Sequence, residues 1–106
     1  MTAAELLKAI EGVPEKALPT RFRVMLASGG TIYQEAAAIG AMLAWMTRES
    51  FIVRLHQTSQ DGSHRVVVYG SGATVRHMHI ETAFDAPTLI EALAAACRAV
   101  AKENAR

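Results

Sequence analysis

The sequence predicts a two-layer α+β domain, an αβββα sandwich, and three observations carry that prediction. Two alanine-rich segments, 32–48 and 86–102, repeat apolar residues at helical spacing. Between them, from Phe51 to Thr82, apolar and polar residues alternate through short runs, as in strands with one buried face. Turn chemistry at Asp61-Gly62 and Gly70-Ser71-Gly72 separates those runs and favours sequential hairpins. The expected sheet has three or four strands, mainly antiparallel, with both long helices on one face and a short N-terminal helix in front.

Size and composition bound the rest. At 106 residues with 51% apolar content, the chain is long enough for one ordered core and too short for two. The expected single domain covers 1–106: a short helix and connector at 1–19, an α+β core at 20–102 and a frayed tail at 103–106. A net charge of +1 gives no global pull toward nucleic acid or membrane. Cys97 is the lone cysteine, which rules out an internal disulfide, suits a reducing cytoplasm and reads as a buried apolar group. Met1 to Ile10 lacks the continuous apolar stretch of a signal peptide. The longest apolar run, Ala36 to Met46, is about half the roughly 20 residues needed to span a bilayer, so it reads as a core helix.

The elements follow in order. Thr2-Ala3-Ala4-Glu5 has the form of a capping box, Leu6, Leu7 and Ile10 follow at helical spacing, and Gly12 with Pro14 stops the run. Arg21 to Leu26 alternates, with Phe22, Val24 and Leu26 on one side, which predicts a strand and leaves open whether segment 21–27 extends the sheet at an edge. Thr31-x-x-Gln34 opens a helix to Arg48 with Ile32, Ala36, Ile39, Leu43 and Met46 inward. Gly40 in its middle costs about 1 kcal/mol against Ala, which a close approach to the sheet would explain.

Phe51 to His56 is the next strand. A turn centred on Asp61-Gly62 pairs Arg54 with Tyr69, His56 with Val67 and Thr58 with Arg65. Val53, Leu55, Val66 and Val68 then share the opposite face. Thr74 to Thr82 reads as the third strand, with Met78 and Ile80 inward and His77, His79 and Glu81 outward. Asp85-Ala86-Pro87-Thr88 starts the last helix, with either Asp85 or Thr88 as cap and Pro87 in the first turn. Leu89, Ile90, Leu93, Ala96, Cys97 and Val100 form its buried stripe.

This arrangement collects the chemistry-bearing side chains on one sheet face. Arg54, His56, Arg65 and Tyr69 form a basic and aromatic patch of the residue types favoured at interface anchors. His77, His79 and Glu81 form a row on the third strand with neighbours about 6.5 Å apart, a candidate grip for one divalent metal that reads first as a solvated polar face. Ser28-Gly29-Gly30-Thr31, between a predicted strand and a helix, lacks both the dinucleotide fingerprint and the P-loop lysine, so a turn and cap accounts for it. No Ser, Cys or Asp stands in a nucleophile motif and no carboxylate pair is placed for acid–base work.

The α-β-β-β-α order resembles three groups. Thr88-Leu89-Ile90-Glu91-Ala92 is similar to the helix start of the HicB-like antitoxins, a resemblance covering roughly residues 51–100 and implying neutralisation of a small toxin. The layout of residues 32–102 also resembles small phage-encoded αβββα sandwich proteins, a group that includes inhibitors of host defence such as anti-CRISPR proteins. The same order is similar to the double-stranded RNA-binding domain, whose last helix opens with clustered lysines; here that position reads Asp85-Ala86-Pro87-Thr88-Leu89. The expected function is a small non-catalytic binding protein without cofactor. It engages a macromolecule, protein rather than RNA, through Arg54, His56, Arg65, Tyr69, His77 and His79. The alternatives are RNA binding on the same face and a metal-dependent role at His77, His79 and Glu81. Self-association into a homodimer through an unpaired sheet edge stays open.

Overall fold

Thr2 starts the first helix as its sequence requires. Its Oγ1 accepts from the Glu5 amide at 3.1 Å and the Glu5 carboxylate accepts from the Thr2 amide at 3.3 Å, a complete capping box on α1 (Ala3–Ala9). The computed structural model describes residues 2–28, 32–57, 62–70 and 82–104. Leu6 and Ile10 bury their side chains, and Gly12 ends the run at a φ of +81°, where a side chain would be strained. A Cβ at Gly12 would also stand 3.1 Å from Arg98 Cδ. Arg98 explains that closeness: its guanidinium donates to the Glu11 carbonyl at 2.8 Å and the Ala9 carbonyl at 3.4 Å, tying this corner to the last helix.

The segment expected to be an edge strand is a helix, α2 (Thr20–Ala27). The Pro19 carbonyl accepts from the Phe22 and Arg23 amides, opening the helix. The Glu15 carboxylate accepts from both the amide and the hydroxyl of Thr20 at 2.8 Å; these bonds hold its pKa below the ordinary value. Arg23 reaches back to the Leu18 carbonyl at 2.9 Å and to the Val13 carbonyl. The alternation was ambiguous because Phe22 and Leu26 satisfy a period of two and a spacing of four alike. The helix buries Leu26, half-buries Phe22 and leaves Val24 out at 65% exposure.

α3 (Ile32–Arg48) has the predicted span, although its predicted cap, Thr31, lies outside the described residues. Its buried face is rotated from the expected stripe. Ala38, Met42, Trp45 and Met46 are buried, Ile39 and Leu43 are half-buried and Ala36 is exposed. The run is apolar almost all round, so its own pattern does not single out a face. Gly40 is exposed and a Cβ there would meet nothing within 4 Å, so no close approach explains it.

Ser50, at a φ of 70°, turns the chain into β1 (Phe51–Gln57). β2 (His64–Gly70) and β3 (Thr82–Ala86) complete an antiparallel sheet in the order β1-β2-β3. The hairpin register differs by two residues from the expected one: Arg54 faces Val67, His56 faces Arg65 and Ile52 faces Tyr69. A slip of two preserves which side every residue faces, whereas a slip of one would exchange them. Of the strand expected at 74–82, residues 74–81 lie outside the described residues, and the described third strand is Thr82–Ala86.

α4 (Leu89–Asn104) begins later than expected. Thr88 is the cap, its hydroxyl accepting from the Glu91 amide at 3.2 Å, while Asp85 belongs to β3 and Pro87 precedes the helix. The helix continues to Asn104, whose side-chain amide donates to Glu49 at 3.0 Å. α3 packs on β1 and α4 on β2 and β3, giving the predicted two layers. Between them lie Met42, Met46, Val66, Val68, Leu93, Cys97 and Val100, all at 0% exposure. No helix is long and apolar enough to cross a membrane among the described residues.

Candidate protein-binding face

The side of the sheet away from the helices is set by strand parity. Ile52, Arg54 and His56 come from β1, Tyr69, Val67 and Arg65 from β2, and Ala83 and Asp85 from β3. Four of the residues expected on a binding face, Arg54, His56, Arg65 and Tyr69, therefore share one surface.

Arg54 lies over the Tyr69 ring, with Cζ 5.3 Å from the ring centre. The two are diagonal neighbours, since Arg54 faces Val67 and Tyr69 stands two positions along; long side chains span that diagonal. The contact is a cation–π pair, worth about 0.5–1 kcal/mol at an exposed site. It holds a flat cationic surface in place. Beside it, Ile52 is 52% exposed and His56 is exposed opposite Arg65.

Arg65 is held differently. Its guanidinium bonds both oxygens of Asp85, Nε to Oδ1 at 2.8 Å and the second nitrogen to Oδ2 at 3.1 Å. The strand register places the two directly opposite each other. With both side chains about half exposed, such a pair contributes about 0–1 kcal/mol to stability. Its larger effect is on the face, because Asp85 neutralises one of the two cations expected there. Val67, central between Arg54 and Ala83, is 3% exposed.

Asp85 and Ile52 are the members of this surface that the sequence reading missed. The sequence offers Asp85, beside Thr88, as a cap for the last helix. The alternation of Thr82-Ala83-Phe84-Asp85-Ala86, with Thr82, Phe84 and Ala86 half-buried and Ala83 and Asp85 exposed, is the signal that identifies it as a strand residue. Ile52 lies on the outer face by the same parity that puts Arg54 there. His77, His79 and Glu81 lie outside the described residues, as do Gly29, Gly30 and Thr31 of the glycine turn. Among the described residues no group of three or more His, Cys, Asp or Glu is placed to hold a metal ion.

Burial raises the Cys97 thiol pKa to about 12, only weakly opposed by the charge of Arg98, so the thiol stays protonated and shielded from attack. An open cleft between α1, the β3–α4 junction and α4 is lined by Glu5, Lys8, Asp85, Glu91 and Arg98. Its charges are mixed, and Asp85 and Arg98 are already engaged with Arg65 and the Glu11 carbonyl.

No protein-family model, curated protein or solved structure matches this chain.

Proposed function

We propose that this chain is a non-catalytic binding protein that engages a partner protein through the outer face of its sheet. The observation that carries the reading is the Arg54–Tyr69 stack beside exposed Ile52. Arginine and tyrosine are enriched among interface residues that dominate affinity, and a pre-ordered arginine loses less entropy on binding than a free one. The Arg65–Asp85 pair favours a protein partner over a nucleic acid: phosphate recognition gains from unpaired cations, and Asp85 places a carboxylate where phosphates would lie. A protein surface, by contrast, accommodates both signs. Within this reading the chain acts by covering its target in the cytoplasm, as an inhibitor or antitoxin does.

The reading is tested by affinity capture with quantitative mass spectrometry. Wild-type protein is compared with a variant carrying Arg54→Ala, Arg65→Ala and Tyr69→Ala, and with a Val24→Ala control on α2. A protein enriched by the wild type and the control but lost from the triple variant supports the face. Equal capture by all three places the contact elsewhere.

A further inference from the structure

β1 exposes an apolar side chain on each of its faces, although α3 packs on it. Ile52, on the outer face, is 52% exposed, and Leu55, on the helix side, is 44% exposed. Among the described residues β2 is its only strand partner, so β1 lies at an edge of the described sheet. Among the described residues, β3 at the opposite edge carries Asp85 and runs straight into Pro87. Charge and proline both blunt an edge. β1 has seven residues, no proline, and Arg54 as its one permanently charged side chain.

We propose that β1 pairs antiparallel with β1 of a second copy of this chain, about a two-fold axis at Val53, to form one continuous sheet. Such an axis runs normal to the sheet, so residues facing each other across it share a side. An axis at Arg54 opposes two guanidinium groups, which is destabilising for directly facing residues. An axis at Leu55 sets Arg54 against His56 of the second copy. An axis at Val53 opposes no like charges: Arg54 faces Ile52 of the second copy, and Phe51 faces its Leu55.

That register buries the exposed Leu55 against an aromatic ring in each half. A two-fold contact must be complementary to itself, and β1 meets that demand in this register, which is why the occupant is a second copy. The inference does not rest on the function proposed above. The axis would set the two outer faces side by side on one side of the merged sheet, leaving both available to a partner.

Sedimentation equilibrium of the full chain over a wide concentration range tests it, with no partner present. The wild type is expected to sediment as a concentration-dependent dimer. Leu55→Lys is expected to raise the dimer dissociation constant at least about tenfold, because it removes buried apolar area, while leaving the circular dichroism spectrum unchanged. Val53→Cys is expected to cross-link two chains on mild oxidation, since facing Cα atoms lie about 5 Å apart; Arg54→Cys, offset from the axis, is expected to cross-link far more slowly. A wild type that stays monomeric throughout overturns the proposal. So does a dimer indifferent to Leu55→Lys that gives no cross-link through position 53.

Discussion

Arg54 and Tyr69 meet across the β1–β2 ladder, the guanidinium carbon 5.3 Å from the ring centre, on a face that also carries a neutralised arginine and a covered valine. The contact makes a removable feature of the outer face, and its energy is measurable apart from binding. In a double-mutant cycle of Arg54→Ala and Tyr69→Ala by urea unfolding, a coupling of about 0.5–1 kcal/mol is expected. Coupling near zero would mean that the pair does not order the surface.

Thr88, and not Asp85, caps α4, and single substitutions separate the two. Thr88→Ala is expected to cost about 1 kcal/mol of stability, the usual loss on removing a capping hydroxyl. Asp85→Asn weakens a half-exposed ion pair and is expected to cost less than about 1 kcal/mol. The reverse order in chemical denaturation would return the cap to Asp85.

Gly40 offers a gain. It sits exposed inside α3 with open space where a Cβ would go, so Gly40→Ala is expected to stabilise by about 1 kcal/mol. For a domain of this size that raises Tm by roughly 4–8 °C. An unchanged or lower Tm in calorimetry would show that the missing Cβ serves a contact.

Cys97 links stability to alkaline pH. Its folded pKa of about 12 lies above its ordinary value of 9.0. Below pH 9 both folded and unfolded chains hold the thiol proton; above it the unfolded chain releases the proton and the folded chain keeps it. Stability from this group therefore falls as pH rises from 9 toward 12, by at most about 1.4 kcal/mol per pH unit. Cys97→Ala is expected to flatten that part of the pH profile relative to wild type, and identical slopes would contradict the buried, protonated thiol.

The parts legible in the sequence were those where local chemistry and tertiary packing agree. Thr2 and Glu5 specify a capping box whatever they pack against, and Val66 and Val68, two apart on β2, share the side that faces the core. Arg54, His56, Arg65 and Tyr69 were assigned to one face because parity survives a register error of two. Three features stayed hidden. Helix α2 is held by Glu15 and Arg23 bonding to backbone five residues away, which no alternation pattern reveals. The face that α3 buries is decided by its neighbours, since Ala36 and Ala38 are chemically alike. Asp85 needed the strand around it to be recognised before it could be seen opposite Arg65.

The outer face as a protein-binding surface is tested most directly by a photo-reactive benzoylphenylalanine placed at Ile52, with the same group at exposed Lys102 on α4 as control. The expected result is a discrete adduct with one protein from cell lysate at position 52 that is absent at 102 and abolished by Tyr69→Ala. Adducts at 102 alone, or adducts at 52 that persist after Tyr69→Ala, would contradict the account.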